Sequence, residues 1–493
     1  MAHYFQDCMK QEDLARLPYL PTVAELLEKC KREYPELPAI SNKTVTYTYD
    51  ELCSRVARRR QFLWEAGLKP GDRIAVMARN GLDAMELYLA VMTAGCTVIM
   101  LPNALNEQAL AGISMKFGLS AMFCEECFMP LTGSVPCAVY LSASIAETEA
   151  PMGEVTKNTV AAIYFTGGTT GAPKGAVLTH GALMRGALNG CYQPGQIFEN
   201  RYIAMLPLSH IFGSVRSFLS VLYTGSLVYT CEDMRAAIGD IPVVRPTVLV
   251  LVPGMAEIIL NIAKLKGKGF LGDLRTIISG AAPVPPRLMA AFREFDIALL
   301  AGYGLTEGAN LTSGNYDTDQ KPDSMGKIYP EQEYKVVNGE LWLRGDNLML
   351  GYYNDPEKTA EVMTEDGWLK TGDLVEFDED GYIYIVGRIK NLILLSNGEN
   401  VSPEELEELF YKSPLVKDCL VSEDTMHGQP VIAVEILPFM PAFEGVSQEE
   451  IETRLRETMK EINDQLPSYK RVSKLKVRYE DFKRTGAMKI ARN

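Results

Sequence analysis

The twelve residues from Tyr164 to Gly175, Tyr-Phe-Thr-Gly-Gly-Thr-Thr-Gly-Ala-Pro-Lys-Gly, carry the strongest chemical signal in the chain. Gly167, Gly168, Gly171 and Gly175 let a backbone turn tightly and point its N–H groups at phosphate oxygens. Thr166, Thr169 and Thr170 add hydroxyls, and Lys174 adds a mobile positive charge. The Walker spacing is absent, because Pro173 rather than glycine precedes Lys174 and Gly175 rather than serine or threonine follows it. Taken alone, the segment reads either as a phosphate cradle or as a plain surface glycine loop.

Three later segments add the other groups that a bound nucleotide needs. In Tyr303-Gly304-Leu305-Thr306-Glu307 an aromatic ring can stack on adenine and a carboxylate can help to hold Mg²⁺. Asp373, in Thr371-Gly372-Asp373, offers a carboxylate that can accept both hydroxyls of a ribose. Gly387-Arg388-Ile389-Lys390 places two cations where the character of the sequence changes. Each of these also has an ordinary structural reading, as a turn or helix-start carboxylate or a solvated cation.

The elements that must position these groups follow from periodicity. Helical patterns run from Val23 to Tyr34 and, after a capping box of Thr48 and Glu51, into a second helix. Arg73–Met77, a helix over Asp83–Met92 and Cys96–Met100 have the spacing of a parallel βαβ unit. Buried strands are predicted at Ala161–Phe165, Arg201–Met205, Leu227–Tyr229, Val248–Val252 and Thr276–Ser279. Glu333–Leu343 and Leu374–Val386 read as antiparallel hairpins, with a turn at Asp380-Gly381. From about residue 390 a smaller unit begins: Ser402, Pro403 and Glu405 start a helix to Tyr411, strands follow near Asp418–Val421 and Val431–Leu437, and Ser447 with Glu450 starts a helix through Leu466. The expected fold is thus α/β and α+β, with a large N-terminal part of several subdomains (residues 1–389) and a small α+β part (390–493), which the resemblance carried by the motifs below implies to be mobile.

Composition excludes several functions. The 493 residues are 47% hydrophobic, enough for large cores, and carry a net charge of −14, the wrong sign for a general nucleic-acid binder. Arg58-Arg59-Arg60, the one basic run inside a helical pattern, is expected to be a solvated face. The ten cysteines include a single CxxC, Cys124 to Cys127, with no second pair, so they read as reduced thiols of a cytoplasmic protein. Four histidines leave little for metal chemistry. The apolar stretch Thr247–Ala263 is short and interrupted by Pro253, Gly254 and Glu257, so no integral membrane segment is expected. The N-terminus has no secretory apolar stretch.

The ordered set YFTGGTTGAPKG (164–175), LPLSHIFG (206–213), SGAAP (279–283), YGLTE (303–307), GELWLRG (339–345), TGD (371–373), GRIKN (387–391), GENVSPEELE (398–407) and RTGAMKIAR (484–492) resembles the adenylate-forming superfamily of acyl-CoA synthetases, carrier-protein adenylation domains and luciferases. The resemblance runs from about residue 22 to the end and is greatest to members like the fatty-acyl-CoA synthetases. It implies that Thr166, Thr169, Thr170 and Lys174, within the loop of Gly167, Gly168 and Gly171, contact the phosphates of ATP. It implies an adenine pocket of Gly280, Ala281, Ala282, Tyr303 and Gly304, α-phosphate contact by Thr306, Mg²⁺ coordination by Glu307, and ribose contacts from Asp373 and Arg388. His210 would stand near the carboxylate pocket, Lys390 would be the hinge, and Lys489 the catalytic lysine. His180 is assigned to structure and His427 to a surface turn.

The implied reaction is activation of a carboxylic acid by ATP to an acyl-adenylate with release of pyrophosphate, then transfer to coenzyme A. The phosphopantetheine arm of an acyl carrier protein is the alternative acceptor, and an inactive scaffold is the non-enzymatic alternative. Ala204–Val215 holds no aspartate to meet an α-amine, which favours a fatty or other apolar acid. Gly213, Ser214, Gly254, Met255 and Gly302 are the candidate channel lining. Two departures stand out: Asn391 follows the hinge where Asp is usual, and Met488 precedes Lys489 where glycine is usual.

Overall fold

The structure, a computed structural model, describes residues 4–5, 8–166, 174–231, 233–395, 399–426, 429–483 and 490. A large N-terminal α/β domain is followed by a smaller C-terminal α+β domain. The first contains two mainly parallel sheets. In one, six parallel strands, Ala298–Tyr303, Thr276–Ser279, Val248–Leu251, Arg201–Ile203, Leu227–Tyr229 and Pro38–Ser41, are flanked by antiparallel strands at both edges. In the other, Val160–Thr166, Thr97–Met100, Arg73–Met77, Ala121–Cys124 and Ala138–Leu141 lie parallel, and Lys174–Thr179 returns antiparallel to Val160–Thr166. The β-rich apolar runs of the sequence are these central strands, buried on both faces as parallel strands must be.

A third sheet is wholly antiparallel: Gln332–Val337, Glu340–Gly345, Leu369–Phe377 and Ile383–Arg388. It is the pair of predicted hairpins, and Gly381 takes the expected left-handed turn at φ 80°. Beyond it, the cluster of Ile393, Val401, Leu406, Phe410, Val421, Val434, Leu455 and Ile462 forms a separate core. Helices Pro403–Tyr411 and Gln448–Asp464 cover a three-stranded sheet of Val416–Met426, Gln429–Pro438 and Lys474–Val477. Ser402 and Ser447 cap these helices by accepting from the N–H groups of Glu405 and Glu450, as their spacing predicts. The capping box of Thr48 and Glu51 is likewise formed in both directions.

The arginine run is not a solvated face. Arg59 is 1% exposed and Arg60 4%. Arg59 pairs with Asp83 and with the fully buried Glu86, which Arg55 also meets. It donates further to the carbonyls of Ser142 and Ser144 at 2.5 and 2.7 Å, while Arg58 donates to Ala146 and Arg60 to Ala150, Pro151 and the Thr93 hydroxyl. Periodicity marked a helix but could not show that an irregular segment, residues 142–151, would lay its carbonyls along it. Guanidinium groups satisfy those carbonyls where an apolar side chain would leave them bare.

The apolar stretch Thr247–Ala263 holds two elements, the predicted strand at Val248–Leu251 and the start of a helix, Pro253–Lys266, which the sequence reading does not include. Among the described residues no helix is long and apolar enough to cross a membrane. The ten cysteines all lie among the described residues, and none is in a disulfide.

His180 opens the helix His180–Cys191 and is fully buried. Its Nδ1 accepts from the Val23 N–H at 3.2 Å, and burial pushes the imidazole down to about 4. The unfolded chain therefore binds this proton first. His180's contribution to stability is complete above about pH 6.5 and declines as pH falls toward 4. Urea denaturation is expected to show this slope in the wild-type chain and to lack it in His180→Gln. Glu86→Ala removes the buried carboxylate that Arg59 and Arg55 share and is expected to cost about 3–5 kcal/mol by the same measurement.

Candidate active site

The candidate residues gather where the parallel strands of the larger sheet end. Strands Thr276–Ser279 and Ala298–Tyr303 are neighbours in parallel register, with Ser279 opposite Ala301. Gly280 and Ala281 therefore emerge beside Gly302 and Tyr303 at the carboxyl edge, the usual binding edge of an open α/β sheet. A Cβ on Gly280 would stand 3.1 Å from the Gly302 carbonyl oxygen and 3.4 Å from the Phe212 ring. Ala281 holds φ 66°, a conformation alanine rarely adopts, and Ala282 follows it.

The chain after Tyr303 turns back under itself. Thr306–Gly308 is one 3₁₀ turn, and Ala309 and Asn310 are both left-handed, at φ 49° and 91°. The reversal brings the Asn310 carbonyl oxygen to 1.4 Å from where a Gly304 Cβ would stand. Only glycine fits there, so the Gly304 of the motif is a requirement of close backbone approach.

Tyr303 meets the third sheet through Asp373. Its phenol donates to Asp373 Oδ2 at 2.6 Å. Asp373 and Arg388 are directly opposed in the antiparallel pair, and Arg388 Nε donates to Asp373 Oδ1 at 2.5 Å. Thr371 Oγ1 accepts from the Asp373 N–H, and Gly372, at φ 72°, donates its own N–H to Glu340. The Asp373 carboxylate is 3% exposed. Burial, then the carboxylate beside it, raise the Tyr303 phenol well above its ordinary value, so it stays a donor.

Two residues on, Lys390 lies in the 3₁₀ turn Ile389–Asn391 between the domains. Burial, then the Arg388 guanidinium, lower its ammonium below the ordinary lysine value; Asp373, Lys174 and Glu307 also act on it. Asn391 donates from its amide to Glu404 at the start of helix Pro403–Tyr411, which ties the segment after Lys390 to the smaller domain.

Glu307 is half-buried and Lys174 sits at the start of strand Lys174–Thr179. Tyr352, which the sequence reading did not single out, lies between them: its hydroxyl donates to Glu307 Oε1 at 2.7 Å and its ring faces Lys174 Nζ at 5.0 Å. Among the described residues no three metal-ligating side chains cluster. A single carboxylate still fits Mg²⁺, which is held largely by phosphate oxygens and water.

Thr166 ends strand Val160–Thr166, opposite Lys174. Gly167, Gly168, Thr169, Thr170 and Gly171 lie outside the described residues, as do His427, Met488 and Lys489. His210 Nδ1 accepts from the Phe212 N–H at 3.2 Å, at the start of the π-helical turns of Phe212–Leu219. Its turn is therefore the one that brings Phe212 to Gly280. Of the proposed channel residues, Gly254 has open space beside it, whereas a Cβ on Gly302 would stand 3.3 Å from the Ser313 carbonyl oxygen. Gly213 packs against the Pro207 carbonyl, and Ser214 is fully buried, accepting from Tyr164, which also bonds Tyr88. The latter two support the wall and do not line the channel. Residue types could not show this, because glycine and serine suit a lining and a tight contact equally.

A family model described as AMP-binding enzyme matches residues 27–353, and one described as AMP-binding enzyme C-terminal domain matches residues 390–493. The chain belongs to the AMP-binding enzyme family. It is 30% identical over 410 residues to a feruloyl-CoA synthase of Amycolatopsis sp, covering 79% of this chain and 83% of that protein. It is 27% identical over 483 residues to a mitochondrial medium-chain acyl-CoA ligase of Rattus norvegicus, covering 84% and 78%. ATP-bound MatB from Rhodopseudomonas palustris superposes with a TM-score of 0.81 at 25% identity, over 94% of this chain and 96% of that one. At family level, then, this AMP-binding enzyme is an adenylate-forming, acyl-activating ligase. The motif order seen in the sequence is its hallmark, and both sheets and the smaller domain conform.

In an AMP-binding enzyme built this way, Gly304→Ala cannot be accommodated without moving the Asn310 turn. The variant is expected to lose at least about 2 kcal/mol in urea denaturation, as overpacked sites do.

Proposed function

We propose that this enzyme activates an apolar carboxylic acid with ATP and transfers the acyl group to coenzyme A. The observation that carries the reading is the bonded set of Tyr303, Asp373 and Arg388 at the carboxyl edge of a parallel sheet, with Tyr303 four residues before Glu307, which Tyr352 joins to Lys174. Those groups answer, in turn, the adenine, ribose and phosphates of one nucleotide. Coenzyme A as acceptor rests on the relatives, whose names are those of acyl-CoA-forming enzymes.

The substrate carboxylate oxygen attacks the α-phosphorus, the bond to the bridging oxygen breaks, and pyrophosphate leaves. Two anions must meet, so cations decide the barrier. Thr166, Thr169, Thr170 and Lys174, in the loop with Gly167, Gly168 and Gly171, hold the β- and γ-phosphates. Thr306 meets the α-phosphate. Glu307 holds Mg²⁺, which neutralises phosphate charge when bound. Gly280, Ala281, Ala282, Tyr303 and Gly304 bound the adenine, and the Asp373 carboxylate, already oriented by Tyr303 and Arg388, accepts from the ribose hydroxyls. Lys489 bridges the acid and the nucleotide in this first step. A thiolate then attacks the anhydride carbonyl and AMP departs. Lys489 has no task in the second step, so rotation of residues 390–493 about Lys390 would exchange one face of the smaller domain for another.

The open space beside Gly254 supports an apolar acyl pocket. The test is direct. With ATP, Mg²⁺, coenzyme A and a mixture of fatty and aromatic acids, mass analysis should find an acyl-CoA thioester and AMP. A thioester formed only on a carrier protein would replace the acceptor, and no adenylate with any acid would end the enzymatic reading. Lys489→Ala should slow adenylation by at least about 100-fold and spare thioester formation from supplied acyl-adenylate.

A further inference from the structure

We infer that Tyr352 is a positioning residue that sets the Glu307 carboxylate through its hydroxyl and the Lys174 ammonium through its ring. The inference rests on the nucleotide reading above and extends it to a residue to which that reading gives no part.

Tyr352 is well placed to do both. It is 8% exposed and lies on the short strand Gly351–Tyr352, which pairs with strand Lys174–Thr179. The flanking backbone is anchored on two sides. Leu350 and Tyr353 donate to the carbonyls of Val177 and Gly175, and Met349 donates to the Glu307 carbonyl at 2.8 Å. The segment therefore joins the strand leaving the glycine loop to the turn that carries Glu307. The Tyr352 N–H is held by Thr359 Oγ1 at 2.9 Å, and Gly351, at φ 141°, leaves room for that threonine.

The ring and the hydroxyl have separate tasks. The phenol donates to one oxygen of Glu307 at 2.7 Å, a bond to a charged acceptor that fixes the plane of the carboxylate. Burial, and then Glu307 itself, raise the Tyr352 phenol, so it remains a donor at neutral pH. The ring, with Lys174 Nζ at 5.0 Å, attracts the ammonium by its π-face and limits where the flexible lysine stem can place it. A carboxylate and an ammonium 45 and 178 positions away in sequence thus share one aromatic guide.

The two tasks can be separated by calorimetric titration of ATP, with and without Mg²⁺, into the full-length chain. In the wild type Mg²⁺ should tighten ATP binding. Tyr352→Phe keeps the ring and drops the hydroxyl; it should lose about tenfold of the Mg²⁺-dependent tightening and leave metal-free ATP binding within about twofold. Tyr352→Leu should weaken metal-free binding as well. On a Glu307→Gln background, Tyr352→Phe should add no further loss, which a merely structural role would not produce. Full Mg²⁺ enhancement in Tyr352→Phe, or an equal loss with Glu307 already replaced, overturns the inference. Should Tyr352→Leu fail to fold, Tyr352→Phe and the double variant still decide. A wild-type chain whose ATP binding ignores Mg²⁺ overturns instead the nucleotide reading beneath it.

Discussion

Asp373 is a buried carboxylate shared between a tyrosine of one sheet and an arginine of another, and much of the candidate site is arranged around it. Tyr303 ends a parallel strand of the large sheet; Asp373 and Arg388 face each other across an antiparallel pair of the third sheet. The carboxylate is removed from water, so it needs both partners to offset its desolvation. Meeting that need joins the two sheets at this point. It also fixes where the chain leaves the third sheet, two residues before Lys390 and the start of the smaller domain. A stability requirement and a binding geometry are thus met by the same three side chains.

Backbone constraints do the remaining positioning. Gly304 allows the Asn310 carbonyl to lie beneath it, and the left-handed pair Ala309 and Asn310 makes that return possible. Ala281 holds a left-handed conformation at the end of the neighbouring strand. Such conformations cost about 1 kcal/mol or more each, and three of the nine positive-φ residues other than glycine among the described residues lie here. Away from the site, the arginines of helix Tyr49–Glu65 serve the opposite purpose: they satisfy an irregular segment and keep it packed.

Much of this was legible in the sequence, for definite reasons. Ser402, Pro403 and Glu405 mark a helix start because the Ser402 hydroxyl accepts from the Glu405 N–H and Pro403, at the first position, has no N–H to leave unsatisfied. Valine- and isoleucine-rich runs had to be covered strands. Asp373 and Tyr303 stood out as residues with nucleotide chemistry. The arginine run was misread because a helical period records which residues share a face, and says nothing of what will lie against it. Gly213 and Ser214 were misread as lining for a similar reason, since small residues mark close approach without revealing what approaches.

By itself, then, the sequence determined the order and type of the elements, the family, and the set of side chains with the right chemistry, because caps, periodicity and motif spacing are local properties. Only the tertiary structure decided which of those side chains meet. It placed Arg388 opposite Asp373 and gave that pair a phenol from a strand 70 residues earlier. It also set Tyr352 between Lys174 and Glu307. These contacts depend on how three sheets pack, and packing is set by the summed fit of surfaces far apart in the chain.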